Sequence, residues 1–233
     1  MVLASITRPR QVLAALSVAL LLAAPAPSLA QGAAAPFTGC SASESTDLEN
    51  AIIAARALAG SAATYLEGVS EDQRRFDAPY ETWFGAYDGW RYGRVIANYR
   101  AIEGGLAPAS TTFSCDCPST AAGEEVHVAQ GGGGIAVCKG FWLAPVSGGR
   151  SRAGALVQAA SQLPGPGGAQ LLAATQIEST TLAGQRPSDA LRNAATYRYF
   201  AEEKKDAGAE HLPAALALIL LIVAVQGFRR WSA

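Results

Sequence analysis

The chain has 233 residues, of which 50% are hydrophobic and 16% are charged, and its formal net charge is −1. This length and composition are those of a globular protein with one domain and a single buried core. No basic patch with interleaved aromatic residues occurs in the sequence, which argues against nucleic acid as a partner.

The first 30 residues have the pattern of a secretory signal peptide. Arg8 and Arg10 precede an apolar run from Val12 to Ala24, and Ser28–Ala30 provides a small-residue cleavage pattern. We expect residues 1–30 to be removed on export. The remaining chain then carries 16 basic and 19 acidic residues, a net charge of about −3.

Two helices are predicted in the first half of the exported part. Thr46 and Glu49 have the spacing of a capping box before an alanine-rich run that reaches Val69. A second helical pattern runs from Asp88 to Ile102, and its aromatic and aliphatic stripe is typical of a helix that packs on a core.

The segment from Thr112 to Phe141 contains three short β-like pieces, FSC, EVHVA and IAVC, separated by proline and glycine. This pattern predicts a small antiparallel sheet. The run Gly131 to Gly134 could suggest a phosphate cradle, but no helix start with Lys-Ser/Thr follows at the required spacing, which favours a flexible hairpin.

The last third of the chain is predicted to be helical. A helix-like stretch from Ser151 to Gln162 ends at the breaker LPGPGG, and further helices are expected over Ala169–Ala183 and Asp189–Glu203. The charged run Glu202–Asp206 would end the last helix. No internal repeat is found, so the predicted fold class is α+β, mostly helical, with one small sheet.

The C-terminal region has the character of a membrane anchor. Residues 212–228 form an apolar stretch of about 17 residues, the short end of what spans a bilayer. Arg229 and Arg230 follow, and because positive residues stay cytoplasmic, we expect the domain on the extracytoplasmic side and residues 229–233 inside.

A buried core helix is the alternative structure for this stretch. The tail also resembles, weakly, bacterial sorting tails of the exosortase kind, which would mean that the anchor is later removed.

The four cysteines, Cys40, Cys115, Cys117 and Cys138, form an even set inside the exported region. Such a set predicts disulfides, and because Cys115 and Cys117 are too close for an easy mutual bridge, two pairings remain open. A metal site built on the Cys-x-Cys pair is the alternative, although no histidine lies nearby in the sequence.

Six segments occur along the chain in the order FTGCSASE from Phe37, TWFG from Thr82, FSCDC from Phe113, CKGFWLAP from Cys138, SRAGALV from Ser151 and NAATYRYFAE from Asn193. Together, and in this order, they resemble the lysine-specific, deuterolysin-like zinc metallo-endopeptidase family (aspzincins). The resemblance implies a zincin-like domain over residues 37–204, a short polar linker at 205–211, and the disulfides Cys40–Cys115 and Cys117–Cys138.

The resemblance also implies where the family's zinc site would fall. The first zinc histidine would be at Gln158, the general-base glutamate at Ala159 and the second histidine at Gln162. The third ligand, an aspartate, would be at Leu171, and a tyrosine that stabilises the oxyanion would be at Ala174.

The acidic residues with which the family binds the substrate lysine would be at Ala195 and Arg198, and an arginine repels a lysine side chain. The resemblance therefore implies a degenerate site with no catalytic residue, no metal ligand and no zinc cofactor. Gln158 and Gln162 are interpreted as polar side chains that line a former cleft.

The histidines give the same expectation without any family. His127 and His211 are the only two, and neither has a second ligand at helical metal-site spacing. Asp116, Glu124 and Glu125 form with His127 an acidic cluster that is better interpreted as solvated strand and turn residues. Ser161 lacks a nearby histidine partner and is expected to be a small core or cleft residue.

Three functions remain open. The first is an exported, membrane-tethered, catalytically inactive relative that keeps the fold and binds a peptide or protein, since an edge strand in the peptidases helps to bind extended substrate. The second is an active metallo-endopeptidase or other hydrolase that uses an unrecognised site. The third is a purely structural exported domain, whose role is either to be displayed or to pair with a catalytic relative encoded elsewhere.

Overall fold

A computed structural model describes residues 37–129, 131 and 133–209. The predicted signal peptide at 1–30, the predicted anchor at 212–228 and His211 lie outside the described residues. Among the helices of the described part, none has the length and apolar character needed to cross a bilayer.

Eight α-helices, two short 3-10 helices (Arg74–Phe76 and Ser119–Ala121) and four short strands occur within the described residues. The strands are β1 (Phe37–Thr38), β2 (Phe113–Ser114), β3 (Val126–Val128) and β4 (Ile135–Val137). The helices are α1 (Ala42–Gly68), α2 (Ala78–Phe84), α3 (Gly89–Gly105), α4 (Lys139–Leu143), α5 (Arg152–Ser161), α6 (Gln176–Gln185), α7 (Pro187–Ala190) and α8 (Ala194–Ala209). The prediction of a mostly helical α+β domain is confirmed.

Helix α1 is the central element and packs against α3, α5 and α8. Its buried face consists largely of alanine, which lets neighbouring helices approach closely. The capping box predicted at Thr46 is wrong: Ser41 is the N-cap and pairs reciprocally with Glu44. The earlier Ser-Ala-Ser-Glu sequence has the same spacing, so the helix starts one turn sooner, and the Thr46 hydroxyl donates to a carbonyl within it.

The aromatic residues of α2, α3 and α8 fill the core between the helices. Tyr99 of α3 donates to the carbonyl of Tyr197 at 2.8 Å, and the Tyr197 hydroxyl donates to the carbonyl of Leu191 at 2.8 Å. These buried phenols therefore have partners, and they fix α8 against α3.

The sheet is mixed, with strand order β1-β2-β4-β3, and not antiparallel as predicted. Strand β2 runs parallel to both β1 and β4, and only the β3–β4 pair is antiparallel. The strand at Phe37–Thr38 was not predicted. Strand β3 lies between β2 and β4 in the chain but pairs on the other side of β4, and β2 and β4 therefore run in the same direction. The bridges Cys40–Cys115 and Cys117–Cys138, with Cα–Cα distances of 5.0 Å, tie these strands to the helices and confirm the pairing that the resemblance implied.

Two predicted helices in the last third are placed differently. The helix expected over Ala169–Ala183 begins only after its N-cap, Thr175. The helix expected over Asp189–Glu203 is divided into α7 and α8. Asn193 explains the first difference, because its side-chain oxygen accepts from two amides in the segment before α6, holding that segment extended. The division between α7 and α8 coincides with a backbone bridge between Gln170 and Asn193.

Candidate functional site

A cavity of about 520 Å³ lies between α5, the edge strand β3, the segment 171–174 and helix α8. This cavity is the cleft. Its lining residues are Glu124, Glu125, Val126, His127, Val128, Arg150, Gln158, Gln162, Leu171, Ala174, Arg198 and Tyr199. The cleft thus brings together five of the seven positions to which the sequence analysis assigned degenerate roles.

Gln158 and Gln162 lie one helical turn apart and both face the cleft. Ser151 is the N-cap of α5, and its hydroxyl accepts from the amide of Gly154. Both glutamines are half-buried, as expected of polar residues that line a cleft. Ala159 is fully buried in the core, and Ser161 is buried with its hydroxyl donating to the carbonyl of Gln158 at 2.7 Å.

The segment 170–174 forms one wall of the cleft and is fixed by backbone hydrogen bonds. The amide of Gln170 donates to the carbonyl of Arg192, and the carbonyl of Gln170 accepts from the amide of Ala194, both at 2.8 Å. The Tyr199 hydroxyl donates to the carbonyl of Ala174 at 2.7 Å. Leu171, which the sequence analysis predicts to occupy the position of the family's third ligand, is 52% exposed on this wall.

Arg198 is a buried cation at the base of the cleft, with 5% of its surface exposed. Its guanidinium is paired with Glu125 of the strand side and donates at 3.4 Å to Glu202 of its own helix. Burial by itself would lower the pKa of Arg198, but the bond to Glu125 and the charges of both carboxylates outweigh it and raise the pKa. Ala195, the other position of the expected lysine pocket, is fully buried and is not a lining residue.

Glu202 joins Arg198 to the start of α5. Its carboxylate accepts from the amides of Arg150 at 3.1 Å and Ser151 at 2.9 Å, and from the Ser151 hydroxyl at 3.0 Å. A buried carboxylate at a helix N-terminus is stabilised by these donors and by the helix dipole. The charged run from Glu202 is therefore not simply a solvated helix end: Glu202 is 5% exposed, and α8 continues to Ala209.

The predicted acidic cluster is divided by the fold. Glu124, Glu125 and His127 line the cleft, whereas Asp116 is exposed and is not a lining residue. The ring nitrogen Nδ1 of His127 lies 3.4 Å from a carboxylate oxygen of Glu124. Glu125 is not a solvated turn residue as interpreted, because it is paired with Arg198.

Sequence reasoning missed four lining residues, namely Val126 and Val128 of β3 and, outside that strand, Tyr199 and Arg150. Tyr199, half-buried, lies in the NAATYRYF segment and stacks on Trp83 with ring centroids 5.5 Å apart. Arg150 follows Gly148 and Gly149, and it is the one non-glycine residue in the described part with a positive φ, 54°. Neither position carries a local pattern that marks a cleft residue.

The architecture, a helix across a cleft closed by an edge strand, is that of a zinc peptidase. The structure is similar to a zinc peptidase from Grifola frondosa with a TM-score of 0.64 and 31% identity, over 71% of this chain and 98% of that one. The family model for lysine-specific metallo-endopeptidases matches residues 69–202.

Curated relatives agree with this match. A peptidyl-Lys metalloendopeptidase of Pleurotus ostreatus is 33% identical over 168 residues, which cover 72% of this chain and 96% of that protein. An extracellular protease of Aeromonas hydrophila is 33% identical over 181 residues, 77% of this chain and 51% of that protein, and its description is consistent with export. The chain belongs to the lysine-specific metallo-endopeptidase family.

Proposed function

We propose that this chain is an exported, membrane-tethered family member that does not hydrolyse peptides and instead binds an extended peptide or protein segment in its cleft. The observation that carries the proposal is the chemistry of the cleft at the positions that the family resemblance assigns to zinc. Two amides and one aliphatic side chain, Gln158, Gln162 and Leu171, face the cavity there.

This donor set does not fit zinc. Protein zinc sites use imidazole, thiolate or carboxylate ligands, an amide oxygen is a weak neutral donor, and leucine has no donor atom. At the position of the general base, Ala159 is buried and offers no group that could accept a proton. Within residues 37–129, 131 and 133–209, no three His, Cys, Asp or Glu residues lie close enough together to hold a metal.

Peptide binding is supported by the free edge of β3. The carbonyl of Glu125 accepts from the amide of Cys138 at 2.9 Å, and the amide of Ala129 donates to the carbonyl of Gly134. The backbone groups of Glu125 and Ala129 therefore point toward β4. Because backbone groups alternate along a strand, Val126 and Val128 present theirs to the cleft. An extended peptide can add to such an edge as a further strand.

Membrane attachment is supported by the apolar run at 212–228 and the arginines at 229 and 230. Helix α8, which carries Arg198, is described as far as Ala209, and the predicted anchor begins three residues later in the sequence. The test is extraction of the exported chain from membranes. Release by high-salt or carbonate washing without detergent would contradict tethering.

Zinc stoichiometry tests the loss of catalysis. The exported chain, purified in mild detergent without a metal-affinity tag, is dialysed against micromolar zinc and measured by elemental analysis. We expect less than about a tenth of an equivalent, because zinc sites normally bind far more tightly than micromolar. About one equivalent, with hydrolysis of lysyl peptides, would overturn the proposal.

A complementary gain-of-function variant tests the assigned positions. Gln158→His, Ala159→Glu, Gln162→His and Leu171→Asp together should recover zinc binding. Because Ala159 is fully buried, a glutamate there is costly, so the triple variant that keeps Ala159 is measured in parallel. It retains all three ligands and should bind zinc as well. A folded triple variant that binds none would show that the assigned register is wrong.

Hydrolysis at a different site is the second candidate, and the position of His127 beside Glu124 in the cleft favours it. A histidine next to a carboxylate can act as a general base. His127→Ala distinguishes the two candidates, because it would abolish any peptidase activity of the wild type but leave peptide binding at the strand edge in place.

A further inference from the structure

An apolar groove of about 510 Å³ adjoins the cleft on the far side of the segment 171–174. Leu171 and Ala174 line both cavities, so the groove continues from the cleft. Leu171, Leu172 and Ile177 line the groove and are 52%, 45% and 79% exposed. Three large aliphatic side chains thus form one exposed surface beside the cleft.

Hydrogen bonds hold the segment that carries the exposed Leu171 and Leu172 in one conformation. The amides of Leu172 and Ala173 both donate to the side-chain oxygen of the buried Asn193 at 3.0 Å. The side-chain nitrogen of Asn193 donates in turn to Ser179 at 3.2 Å and Thr196 at 3.0 Å. The segment therefore cannot turn its leucines inward without breaking a buried hydrogen-bond network.

The charged groups around the groove are already paired within the protein. The Glu178 carboxylate accepts from the amides of Ala174 at 3.1 Å and Thr175 at 3.0 Å, and Arg186 pairs with Asp189 at 3.1 Å. Apart from the exposed, uncharged side chains of Thr181 and Gln185, the groove offers a ligand aliphatic surface. A side chain bound there must itself be large and apolar.

The cleft differs, because it contains a guanidinium, that of Arg150, that forms no ion pair among the described residues. The other cleft arginine, Arg198, is shared between Glu125 and Glu202, and Glu124 lies beside His127. Arg150 is exposed and lines the cleft, and its guanidinium has no carboxylate within 4.0 Å among the residues that the structure describes, although its backbone amide donates to Glu202.

The backbone of Arg150 is held in a rare conformation. Its φ of 54° lies in the left-handed region, which is costly for a residue with a long side chain. Glu202, which accepts from the Arg150 amide, holds the residue there. The buried network therefore fixes the point from which this arginine extends at the cleft.

We infer that the cleft and the groove form one binding surface for an extended peptide that carries an acidic residue for Arg150 and a large aliphatic residue for the groove. This rests on the proposed peptide binding and adds the side-chain preference. The preferred residue is acidic, whereas the name of the peptidyl-Lys metalloendopeptidases that the chain resembles refers to lysine, a basic residue.

The test is selection from a phage-displayed library of random dodecapeptides on the exported chain, purified in detergent. Selected peptides are then measured by fluorescence anisotropy. We expect enrichment of an aspartate or glutamate with a leucine, isoleucine or methionine in the same peptide. The double variant Leu172→Ser, Ile177→Ser and the single variant Arg150→Gln should each weaken binding about tenfold or more.

Matched variants serve as controls. Ile53→Ser removes an equally exposed aliphatic side chain that lines neither cavity, and it should bind as the wild type does. Arg150→Lys keeps the charge and should retain most of the affinity. Val128→Pro removes an edge amide without removing a bond to β4, and should weaken binding of every selected peptide.

The outcomes separate the two proposals. One outcome is that peptides are selected and that Val128→Pro weakens their binding, but the groove and Arg150 variants bind normally or the selected peptides are rich in lysine. In that case the side-chain preference is wrong and edge binding stands. If no peptide is enriched over a library panned on empty detergent micelles, peptide binding itself is overturned.

Discussion

The substitution Gly154→Ala probes the buried network beneath the cleft. Gly154 lies in the first turn of α5, against α8. A methyl group added there would overlap a carboxylate oxygen of Glu202 and lie 2.6 Å from its Cδ and 3.1 Å from Cγ of Arg198. Since both neighbours are only 5% exposed, they have little space into which they can move.

The expected loss follows from two opposing effects. An alanine in place of a helical glycine stabilises a protein by about 1 kcal/mol. Displacing Glu202 breaks its bonds to two backbone amides, the Ser151 hydroxyl and Arg198. Breaking a buried ion pair of this kind costs about 3–5 kcal/mol. The free energy of unfolding should therefore fall by about 2–4 kcal/mol.

Urea unfolding followed by tryptophan fluorescence measures this change. Gly93→Ala is the matched control, because Gly93 lies inside α3 with no atom within 4 Å of an added methyl group, and this variant should be unchanged or slightly more stable. If Gly154→Ala is as stable as the control, Glu202 is not fixed at this position. In a Glu202→Ala background, the penalty of Gly154→Ala should largely disappear.

Two further perturbations test the disulfides and a helix cap. Replacing both cysteines of the Cys40–Cys115 bridge by alanine should lower the free energy of unfolding by about 4.5 kcal/mol, and the same change at Cys117–Cys138 should lower it by about 3 kcal/mol. The first bridge spans 75 residues and the second 21, and the longer loop restricts the unfolded chain more. Equal losses in urea unfolding would contradict this loop-length explanation. The pKa of Glu178 is lowered by hydrogen bonds from the backbone and hydroxyl of Thr175, so its charged form stabilises the fold above the ordinary value of 4.5, and this contribution is lost as the pH falls through the lowered pKa. The Glu178→Gln variant should therefore be less stable than the wild type at neutral pH, and the two stabilities should converge in strong acid. The control Glu49→Gln, at an exposed residue, should show no such difference. If the stability of Glu178→Gln and of the wild type changed in parallel with pH, the capping role of Glu178 would be contradicted.

The elements that the sequence predicts well are those with local signals. Helices α3 and α5 begin after Asp88 and Ser151, whose side chains accept from backbone amides as N-caps. The cleft face of α5 was also predictable, because residues four apart share a helix face. The pairing of the cysteines required the family resemblance, since chain spacing alone left two choices.

The elements that the sequence does not predict depend on distant partners. Strand β1 has two residues and is defined by its pairing with Phe113 and Ser114. The segment before α6 has helix-compatible residues, but Asn193, about 20 positions later, holds it extended. Glu125 has no local signal that it will meet Arg198, because the two are 73 residues apart.

The fold of this domain and the zinc chemistry of its family involve different residues, and this decides which part of that chemistry is easier to build into the cleft. On α5, residues such as Leu156 and Val157 are fully buried in the core, whereas Gln158 and Gln162 face the cavity, so imidazoles there would disturb little packing. Arg198 is different, because its charge now compensates the buried Glu202 and the partly buried Glu125. An acidic residue at that position would place three carboxylates together, and the uncompensated charge would destabilise the fold. We therefore expect that substitutions at the cleft surface alone suffice to build a zinc site, whereas an acidic pocket for lysine also requires changes at Glu125 and Glu202.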